Sequence, residues 1–462
     1  MARKQRPSHP AGDIGPKTPA AGLAATGHAR EAPGHQGFQA RASIGLQSAL
    51  AQALARHSPV DLVLVDPMHG LRWSAAVRAG DAARMLGAAA ERLARQLEAG
   101  EELHLLVGPR LALLRLAELD RTEARCQRLR LELRLPAGPL GERRIAADPA
   151  IGAARVEPGA TPSSALRRAE AALQVARDES AGRLVWHRPV VDEYLRLRGR
   201  LAQDLPAALA GPQIVLYLQP VVCLRTGSVR AGQAQLRWQH PRLGVTGGAE
   251  LAALAREAGR RAELERRLVP LALTHLAALQ GTEPALPVTM ELSVAAITAP
   301  YFAERLRDAC AAAGVATSLV QVEIRDGDGA PQSGLLRQRL RELHEIGAQI
   351  VLGEAEGSRL PLADLLGLPL AALKCSMRWV REQLAEPQAR AALGALLRVG
   401  HGLGGRVVVS GADTGQDLEL LRELRFDQAL GACFGPPLPA AEFQAQSRAM
   451  NARASRIDPY SI

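Results

Sequence analysis

The sequence predicts an α/β protein, because strand-like and helix-like segments alternate along most of the chain. Residues 58–190 hold one alternating block and residues 211–447 hold a second, larger one. The larger block contains eight strand candidates with helices between them, which suits a closed (β/α) barrel of the TIM type. Length alone would equally allow a doubly wound sheet. Residues 191–210 carry leucines at helical spacing and predict a helix that connects the two blocks.

The composition indicates a folded protein with an aliphatic core. Of the 462 residues, 47% are hydrophobic and only 3% are aromatic, which argues against base stacking and so against specific nucleic-acid binding. The net charge of +10 fits a soluble, arginine-rich protein and leaves an anionic partner open. Five scattered cysteines, with no disulfide or metal spacing, indicate a reducing compartment. With no apolar run long enough for a membrane span and no signal peptide, we expect a cytoplasmic protein.

Residues 1–57 are predicted to be a disordered tail, because Pro, Gly, Ala and His dominate most of it without any period. Within this segment Ile44–Ala55 has helical spacing and predicts a short helix. Residues 448–462 are predicted to be a C-terminal tail.

The first block is predicted to contain five strands and two helices. A hairpin is expected where two apolar runs flank Gly108-Pro109. The predicted elements are, in order, a strand at Asp61–Val65, a helix at Ala82–Leu97, hairpin strands at Leu103–Leu106 and Leu111–Leu116, strands at Gln127–Leu135 and Ile145–Val156, and a helix from Thr161.

This block contains the stretches DLVLVDPMHG, LHLLVGPRLALL and ALRRAEAALQVARDESAGRLV. All three resemble parts of the GGDEF domain, the diguanylate cyclase module. The resemblance places the family signature on Val107–Leu111, where Pro109 and Arg110 replace acidic residues. Of the acids that would hold Mg²⁺, only Asp66 remains. The block is therefore expected to keep the shape of a cyclase without its activity.

The second block has eight predicted strands and six predicted helices. The strands are expected at Ile214–Leu218, Val229–Leu236, Val288–Leu292, Val320–Ile324, Gln349–Leu352, Ala371–Cys375, Arg406–Val409 and Gln428–Leu430. The helices are expected at Ala249–Ala258, Leu264–Leu279, Tyr301–Ala313, Gly334–Ile346, Val380–His401 and Gly415–Leu424.

The opening of this block carries a second resemblance. It contains Gln219-Pro220-Val221-Val222, a turn at Thr226-Gly227, and LRWQHP from Leu236 to Pro241. These residues resemble the EAL domain, the bacterial cyclic di-GMP phosphodiesterase module. The family fold is a modified TIM barrel, so the resemblance favours the barrel over the doubly wound sheet. The signature itself departs from the family, because Glu-Ala-Leu has become Gln233-Ala234-Gln235.

The resemblance implies a site in which a ring of acids holds two metal ions that activate water. Glu323 and Lys374 match family positions, whereas Glu291 and Glu354 are altered remnants. The other family positions have lost their functional group and are occupied by Gln233, Gly353, Ser376, Ser410 and Leu430. A neutral amide is a poor ligand for a hard cation. No cofactor is therefore expected, and Mg²⁺ or Mn²⁺ would matter only if residual phosphodiesterase activity exists. An internal ion-pair network around Lys374 is the expected alternative.

Nucleotide binding is a separate question. By resemblance, the residues that would touch a nucleotide are Gln219, Gln233, Arg237 and Pro437. Arginine suits a phosphate or a guanine edge. Glu354 and Glu356 would repel a dianionic dinucleotide, so Arg237 is expected to pair with a nearby acid instead. His240 and His401 are expected to be structural or surface residues.

The sequence thus predicts a degenerate tandem GGDEF–EAL protein with neither catalytic site intact. We expect a regulatory or scaffold protein of cyclic di-GMP signalling that contacts an unidentified protein partner and could form a homodimer through the barrel. The alternatives are a cyclic di-GMP receptor without turnover and a phosphodiesterase with an altered metal site.

Overall fold

The structure is a computed structural model that describes residues 43–56, 59–69, 79–106, 110–116, 121–134, 139–140, 143–144, 149–178, 184–278, 285–325, 333–357, 370–384 and 390–457. The predicted disorder of residues 1–42 lies outside this described part. The short helix predicted near residue 50 is confirmed as α1, Ser43–Ala55, whose Leu46 and Leu50 are buried.

A five-stranded sheet forms the first block, in the order β2-β3-β1-β6-β7. Its central strand β1 is buried along its whole length and is antiparallel to both β3 and β6. The elements after α1 are β1 (Val60–Asp66), α2 (Ala79–Ala94), β2 (Glu102–Leu106), β3 (Arg110–Leu116), α3 (Arg121–Arg134), β4 (Pro139–Leu140), β5 (Arg143–Arg144), β6 (Ala150–Val156), α4 (Pro162–Asp178) and β7 (Leu184–Trp186). The predicted hairpin is confirmed by the antiparallel pairing of β2 with β3.

The strand predicted at Gln127–Leu135 is wrong, because these residues belong to helix α3 up to Arg134. Cys126, Leu129 and Leu133 are spaced three and four residues apart and are all buried against the sheet. Leu131, which gave the segment its alternating appearance, is 63% exposed. The helix begins at Arg121, so its period is visible only when the residues before Gln127 are included.

One acid lies inside the apolar central strand. Asp61 is completely buried and accepts hydrogen bonds from Arg155 Nε at 2.9 Å, Arg155 Nη2 at 3.0 Å and Thr122 Oγ1 at 2.6 Å. These contacts neutralise the carboxylate and satisfy both of its oxygens.

Helix α5 (Pro189–Ala210) is the predicted connecting helix, and it packs against both α4 and the first barrel helix, α6 (Gly248–Glu257). Arg198 on α5 donates to Glu257 on α6 at 2.6 Å. A buried apolar cluster that contains Leu205 and Trp238 joins α5 to the barrel wall.

The predicted barrel is confirmed, and it is closed. Strands β9, β11, β12, β13, β14, β15 and β16 follow one another in parallel, and β8 closes the ring by pairing antiparallel with β16 and β9. The barrel strands are β8 (Ile214–Cys223), β9 (Val229–His240), β11 (Val288–Ser293), β12 (Val320–Arg325), β13 (Gln349–Leu352), β14 (Leu370–Ser376), β15 (Arg406–Ser410) and β16 (Gln428–Leu430), with the short edge strand β10 (Gly244–Thr246) beside β9.

The barrel helices match most predictions, but the helices at Val294–Ile297 and Ala440–Ile457 were not predicted. After α6 they are α7 (Arg261–Ala278), α8 (Val294–Ile297), α9 (Phe302–Ala312), α10 (Ser333–Glu345), α11 (Met377–Leu384), α12 (Arg390–Gly402), α13 (Gly415–Glu423) and α14 (Ala440–Ile457). The helix predicted at Val380–His401 is described as two helices, α11 and α12, and residues 385–389 lie outside the described part. Residues 448–457 of the predicted C-terminal tail instead belong to α14, whose Phe443 is buried against β8 and β9.

The cysteines give a first testable prediction. Burial opposes ionisation of Cys223, but hydrogen bonds from Thr226 and Arg225 outweigh it and lower the pKa of its thiol. Burial, with help from Asp61, raises the pKa of Cys126 to about 12. Because the thiolate is the reactive form, iodoacetamide at neutral pH should alkylate Cys223 well before Cys126, as measured by peptide mass spectrometry.

The matched control for the cysteine prediction is Thr226→Val, which should slow labelling of Cys223 and leave Cys126 unchanged. Equal labelling rates of the two thiols in the folded protein would contradict it.

Candidate functional site

Three of the predicted site residues meet inside the barrel and bond to one another. Gln233 on β9 donates from Nε2 to Glu323 Oε2 on β12 at 3.0 Å. Lys374 on β14 donates from Nζ to the same Glu323 oxygen at 2.8 Å and to Gln233 Oε1 at 3.1 Å. The three residues are 5%, 4% and 8% exposed, respectively. We call this arrangement the Gln–Glu–Lys triad; it is electrically neutral and its members satisfy one another.

The triad explains why an amide at position 233 suits this barrel. Gln233 acts as a donor to the carboxylate and as an acceptor from the ammonium, and an amide carries both groups without a charge. A glutamate at position 233 would place a second buried negative charge against Glu323.

The interior around the triad is filled largely by apolar side chains. One buried cluster consists of Val221, Ala231, Val351, Ala372, Val408 and Leu430. Leu430, which replaces a family glutamine, contributes an aliphatic side chain to it. A cavity bordered by Gln233 and Lys374 measures about 20 Å³.

Gly353 leaves the space that the Glu323 side chain occupies. A Cβ atom at this position would lie 2.7 Å from Glu323 Oε1 and 3.1 Å from the backbone oxygen of Ile324. An acid at position 353, as the family has, is therefore incompatible with the present position of Glu323. The next residue, Glu354, is partly buried and has a left-handed backbone with φ of 46°. Glu291 pairs in register with Glu323 on the neighbouring strand.

Glu356 is a site residue that sequence reasoning considered only as a source of repulsion. Its Oε1 accepts hydrogen bonds from Ser376 N at 3.0 Å and Ser376 Oγ at 2.7 Å. Its Oε2 is buried and has no hydrogen-bond partner among the described residues. The loop after β13 thus brings a carboxylate to the position where the family aspartate has become Ser376. No sequence signal could have found this contact, because it joins a loop to the end of another strand.

Ser410 and Asp413 stabilise the backbone at the C-terminal end of strand β15. Ser410 Oγ donates to the carbonyl of Cys375 at 3.3 Å, and Asp413 Oδ1 accepts from Ala432 N at 2.8 Å. Both side chains therefore bond to neighbouring backbone.

A second group of predicted residues is linked by a series of side-chain hydrogen bonds that is separate from the triad. Arg237 Nη2 donates to Gln235 Oε1 at 2.7 Å, and Gln235 Nε2 donates to Gln219 Oε1 at 2.7 Å. Gln219 Nε2 donates to the carbonyl of Gly435 at 3.1 Å, two residues before Pro437. The remaining predicted residue, Gln233, faces Gln219 in the β8–β9 ladder, but its side chain bonds within the triad.

The predicted ion pair of Arg237 with an acid is not found among the described residues. Its guanidinium instead bonds to Gln235 and to the carbonyl of Leu236, and it lies 5.9 Å from the centre of the Tyr217 ring. Burial lowers the pKa of Arg237 from its usual value, and Tyr217 partly opposes that shift. The cation is thus held by neutral groups, in a half-buried position.

The residues present do not fit a two-metal centre. Lys374 occupies one Glu323 oxygen, an amide stands at position 233, and a glycine stands at 353. Within the described residues, no three His, Cys, Asp or Glu side chains are placed so that they could hold a metal ion.

Asp66, the acid left in the five-stranded sheet, is also engaged. Its Oδ2 accepts from Arg177 Nε at 2.8 Å, and its Oδ1 accepts from the backbone of Met68 at 3.1 Å. Arg110 begins β3, whereas Pro109 lies outside the described residues.

The two histidines make structural contacts, as predicted. His240 is buried and bonds to Asp204 at 3.0 Å, while its Nδ1 accepts from the backbone of Arg242. His401 bonds to Asp427 at 2.9 Å.

Comparison with known proteins identifies the family. The EAL domain model matches residues 202–437, more than half of the chain, so the protein belongs to the EAL domain family. It is 23% identical over 323 residues to the cyclic di-GMP phosphodiesterase PdeR of Escherichia coli, covering 70% of this chain and 49% of that protein. It is 27% identical over 254 residues to the cyclic di-GMP phosphodiesterase NbdA of Pseudomonas aeruginosa, covering 54% and 32%.

These curated relatives are longer proteins, and the chain spans about a third to a half of their length. Among solved structures, the PaMucR phosphodiesterase in complex with c-di-GMP is 23% identical, with a TM-score of 0.49 over 53% of this chain and 99% of that one. The FimX EAL domain is 21% identical, with a TM-score of 0.47 over 53% and 97%. Of the described helices, none is both long and apolar enough to cross a membrane.

Proposed function

We propose that this protein is a catalytically inactive EAL-domain protein that regulates cyclic di-GMP signalling through contacts with a protein partner. The observation that carries the proposal is the Gln–Glu–Lys triad, which occupies the interior with a neutral, mutually satisfied network. Two-metal hydrolysis of a phosphodiester needs several carboxylates free to bind cations. Here Glu323 is committed to Lys374 and Gln233.

The proposal includes a degenerate GGDEF-like character for residues 58–190. In support, the paired strands β2 and β3 lie on either side of residues 107–109, and the remaining acid Asp66 is bound by Arg177. Mg²⁺ would have to displace this ion pair, and one carboxylate does not hold two metals. A tandem protein of this kind would make no cyclic di-GMP and degrade none.

The test is an incubation of the full chain with cyclic di-GMP and Mg²⁺ or Mn²⁺, followed by chromatography of the nucleotides. We expect no linear dinucleotide above a protein-free blank, while an active EAL phosphodiesterase run in parallel should convert the substrate. Metal-dependent product that disappears in the Glu323→Gln variant would overturn the proposal.

A second candidate is a cyclic di-GMP receptor, and the state of Arg237 favours it. The guanidinium is held by neutral groups beside the Tyr217 ring, so no described acid competes with a phosphate for it. A charge-assisted hydrogen bond to a phosphate is worth about 1.5–3 kcal/mol. If the protein is a receptor, Arg237→Ala should weaken binding about tenfold or more in calorimetric titrations without metal.

The matched control for this titration is Arg242→Ala, because Arg242 lies on the same hairpin with an exposed side chain. This variant should bind as the unchanged protein does. Saturable binding that Arg237→Ala leaves unaffected would rule out this mode of recognition. Sedimentation of the full chain tests separately whether it forms the proposed homodimer.

A further inference from the structure

Strand β8 has an edge that the barrel leaves partly open. One edge pairs with β9 from Ile214 to Val222. The other edge pairs with β16 only at Val222 and Cys223, and with Leu438 at Leu218. Among the described residues, none pairs with residues 214–217 on this second edge.

The bridge to Leu438 fixes the direction of the backbone groups on this edge. Leu218 N donates to Leu438 O at 2.8 Å, and Leu438 N donates to Leu218 O at 2.9 Å. In an antiparallel ladder alternate residues bond to opposite sides. The N–H and C=O groups of Leu216 and Ile214 therefore point toward the open edge, as those of Leu218 do.

A groove of about 420 Å³ runs along the open edge, between β8, α7 and the segment after Leu438. Its lining includes Ile214, Leu216, Arg267, Leu271, His275 and Pro439. The three residues from α7 are spaced four apart, so they form one row that is about 12 Å long at the helical rise of 1.5 Å per residue. An apolar leucine thus stands between two polar ends.

Both polar ends present a buried atom without a partner. Arg267 Nε and His275 Nδ1 have no hydrogen-bond partner among the described residues. Arg267 Nη2 donates to the carbonyl of Gly211 at 2.9 Å, which holds the guanidinium at the start of β8. Burial lowers the pKa of His275 and so favours the neutral ring, while a hydrogen bond with the backbone of Leu216 partly opposes the shift. Leaving such buried groups unsatisfied costs about 1–3 kcal/mol each.

We propose that this groove binds an extended peptide segment of a partner protein as an added strand, antiparallel to β8. Main-chain bonds to Ile214 and to the N–H of Leu216 would extend the edge, beside the His275 ring that already bonds to the Leu216 backbone. Apolar side chains would cover Leu271, and a carboxylate at the C-terminal end would meet Arg267. The segment at Leu438 runs antiparallel to β8. A peptide that ran in the same direction would have its C-terminal end beside the start of β8. The groove lies outside the barrel interior, so the proposal stands whether or not the barrel is catalytic.

The test uses the ¹⁵N-labelled full chain and a pool of acetylated tetrapeptides of Val, Leu, Ile and Thr with free C-terminal carboxylates. We expect saturable shifts of the Leu216 and Ile214 amide signals with a Kd tighter than about 1 mM for the best peptide. Its C-terminal amide should bind about fivefold more weakly, because it lacks the charge that Arg267 receives. A peptide N-methylated at its central residues should not bind, since it cannot complete the ladder.

Two variants complete the design. Arg267→Gln should bind the acid and the amide forms equally, whereas Arg266→Gln, an exposed neighbour on the same helix, should retain the preference for the acid. Absence of any saturable shift at residues 214–217 would overturn the proposal. Equal binding of the N-methylated peptide would also overturn it.

Discussion

Replacing Lys374 with methionine should lower the free energy of unfolding by about 3–5 kcal/mol, because Glu323 would remain buried without its cation. The ammonium lies 2.8 Å from the carboxylate, and both side chains are shielded from water. Methionine fills a similar volume, so the loss would report the charge and not a cavity. The measurement is denaturant unfolding followed by tryptophan fluorescence, to which Trp238, buried in the barrel wall, contributes.

A double-mutant cycle sharpens the Lys374 prediction. The Glu323→Leu/Lys374→Met protein should be less destabilised than the sum of the two single variants, because it leaves no unpaired charge behind. Arg242→Met, at an exposed position, should change stability by no more than about 0.5 kcal/mol. A Lys374→Met protein as stable as the unchanged one would show that the triad does not support the barrel.

Much of the fold was predictable because its signals are local. All eight barrel strands of the second block were predicted within a few residues, since each is a short apolar run bounded by turn residues. Helix α3 was missed because Leu129, Leu131 and Leu133 imitate strand alternation over a short window. Helix α14 was not predicted, because its buried positions Phe443, Ser447 and Ala454 include only one large apolar side chain.

The residues of the site were predictable from the sequence, but the hydrogen bonds between them were not. The sequence pointed to Gln233, Glu323 and Lys374 and to an ion-pair network, which the structure contains. It could not show that Gln235, a side chain with no assigned role, links Arg237 to Gln219. It also could not place Glu356 on Ser376 or Arg155 on Asp61, because these contacts join segments that only the tertiary fold brings together.

Restoring an acid with Gly353→Asp should destabilise the protein by more than about 3 kcal/mol, because a steric and an electrostatic cost combine. The new Cβ would lie 2.7 Å from Glu323 Oε1 and 3.1 Å from the Ile324 carbonyl, and the backbone atom cannot rotate away. The added carboxylate would then be buried beside a second one. Thermal and denaturant unfolding of the purified variant measure the loss.

The control for this substitution is Gly353→Ala, which keeps the steric cost of about 1–3 kcal/mol and lacks the charge. If the altered site could accept a metal, Mn²⁺ would restore the stability of Gly353→Asp by binding only the folded state. We expect no such restoration, and no hydrolysis of cyclic di-GMP by the Gln233→Glu/Gly353→Asp protein.

Metal-dependent stabilisation together with a linear dinucleotide product would mean that two substitutions separate this barrel from an enzyme. The geometry argues otherwise, because the changes depend on one another. Gly353 leaves the space into which Glu323 extends, and from there the carboxylate reaches both Lys374 and the Gln233 amide. Returning one acid therefore breaks a network without rebuilding a metal centre.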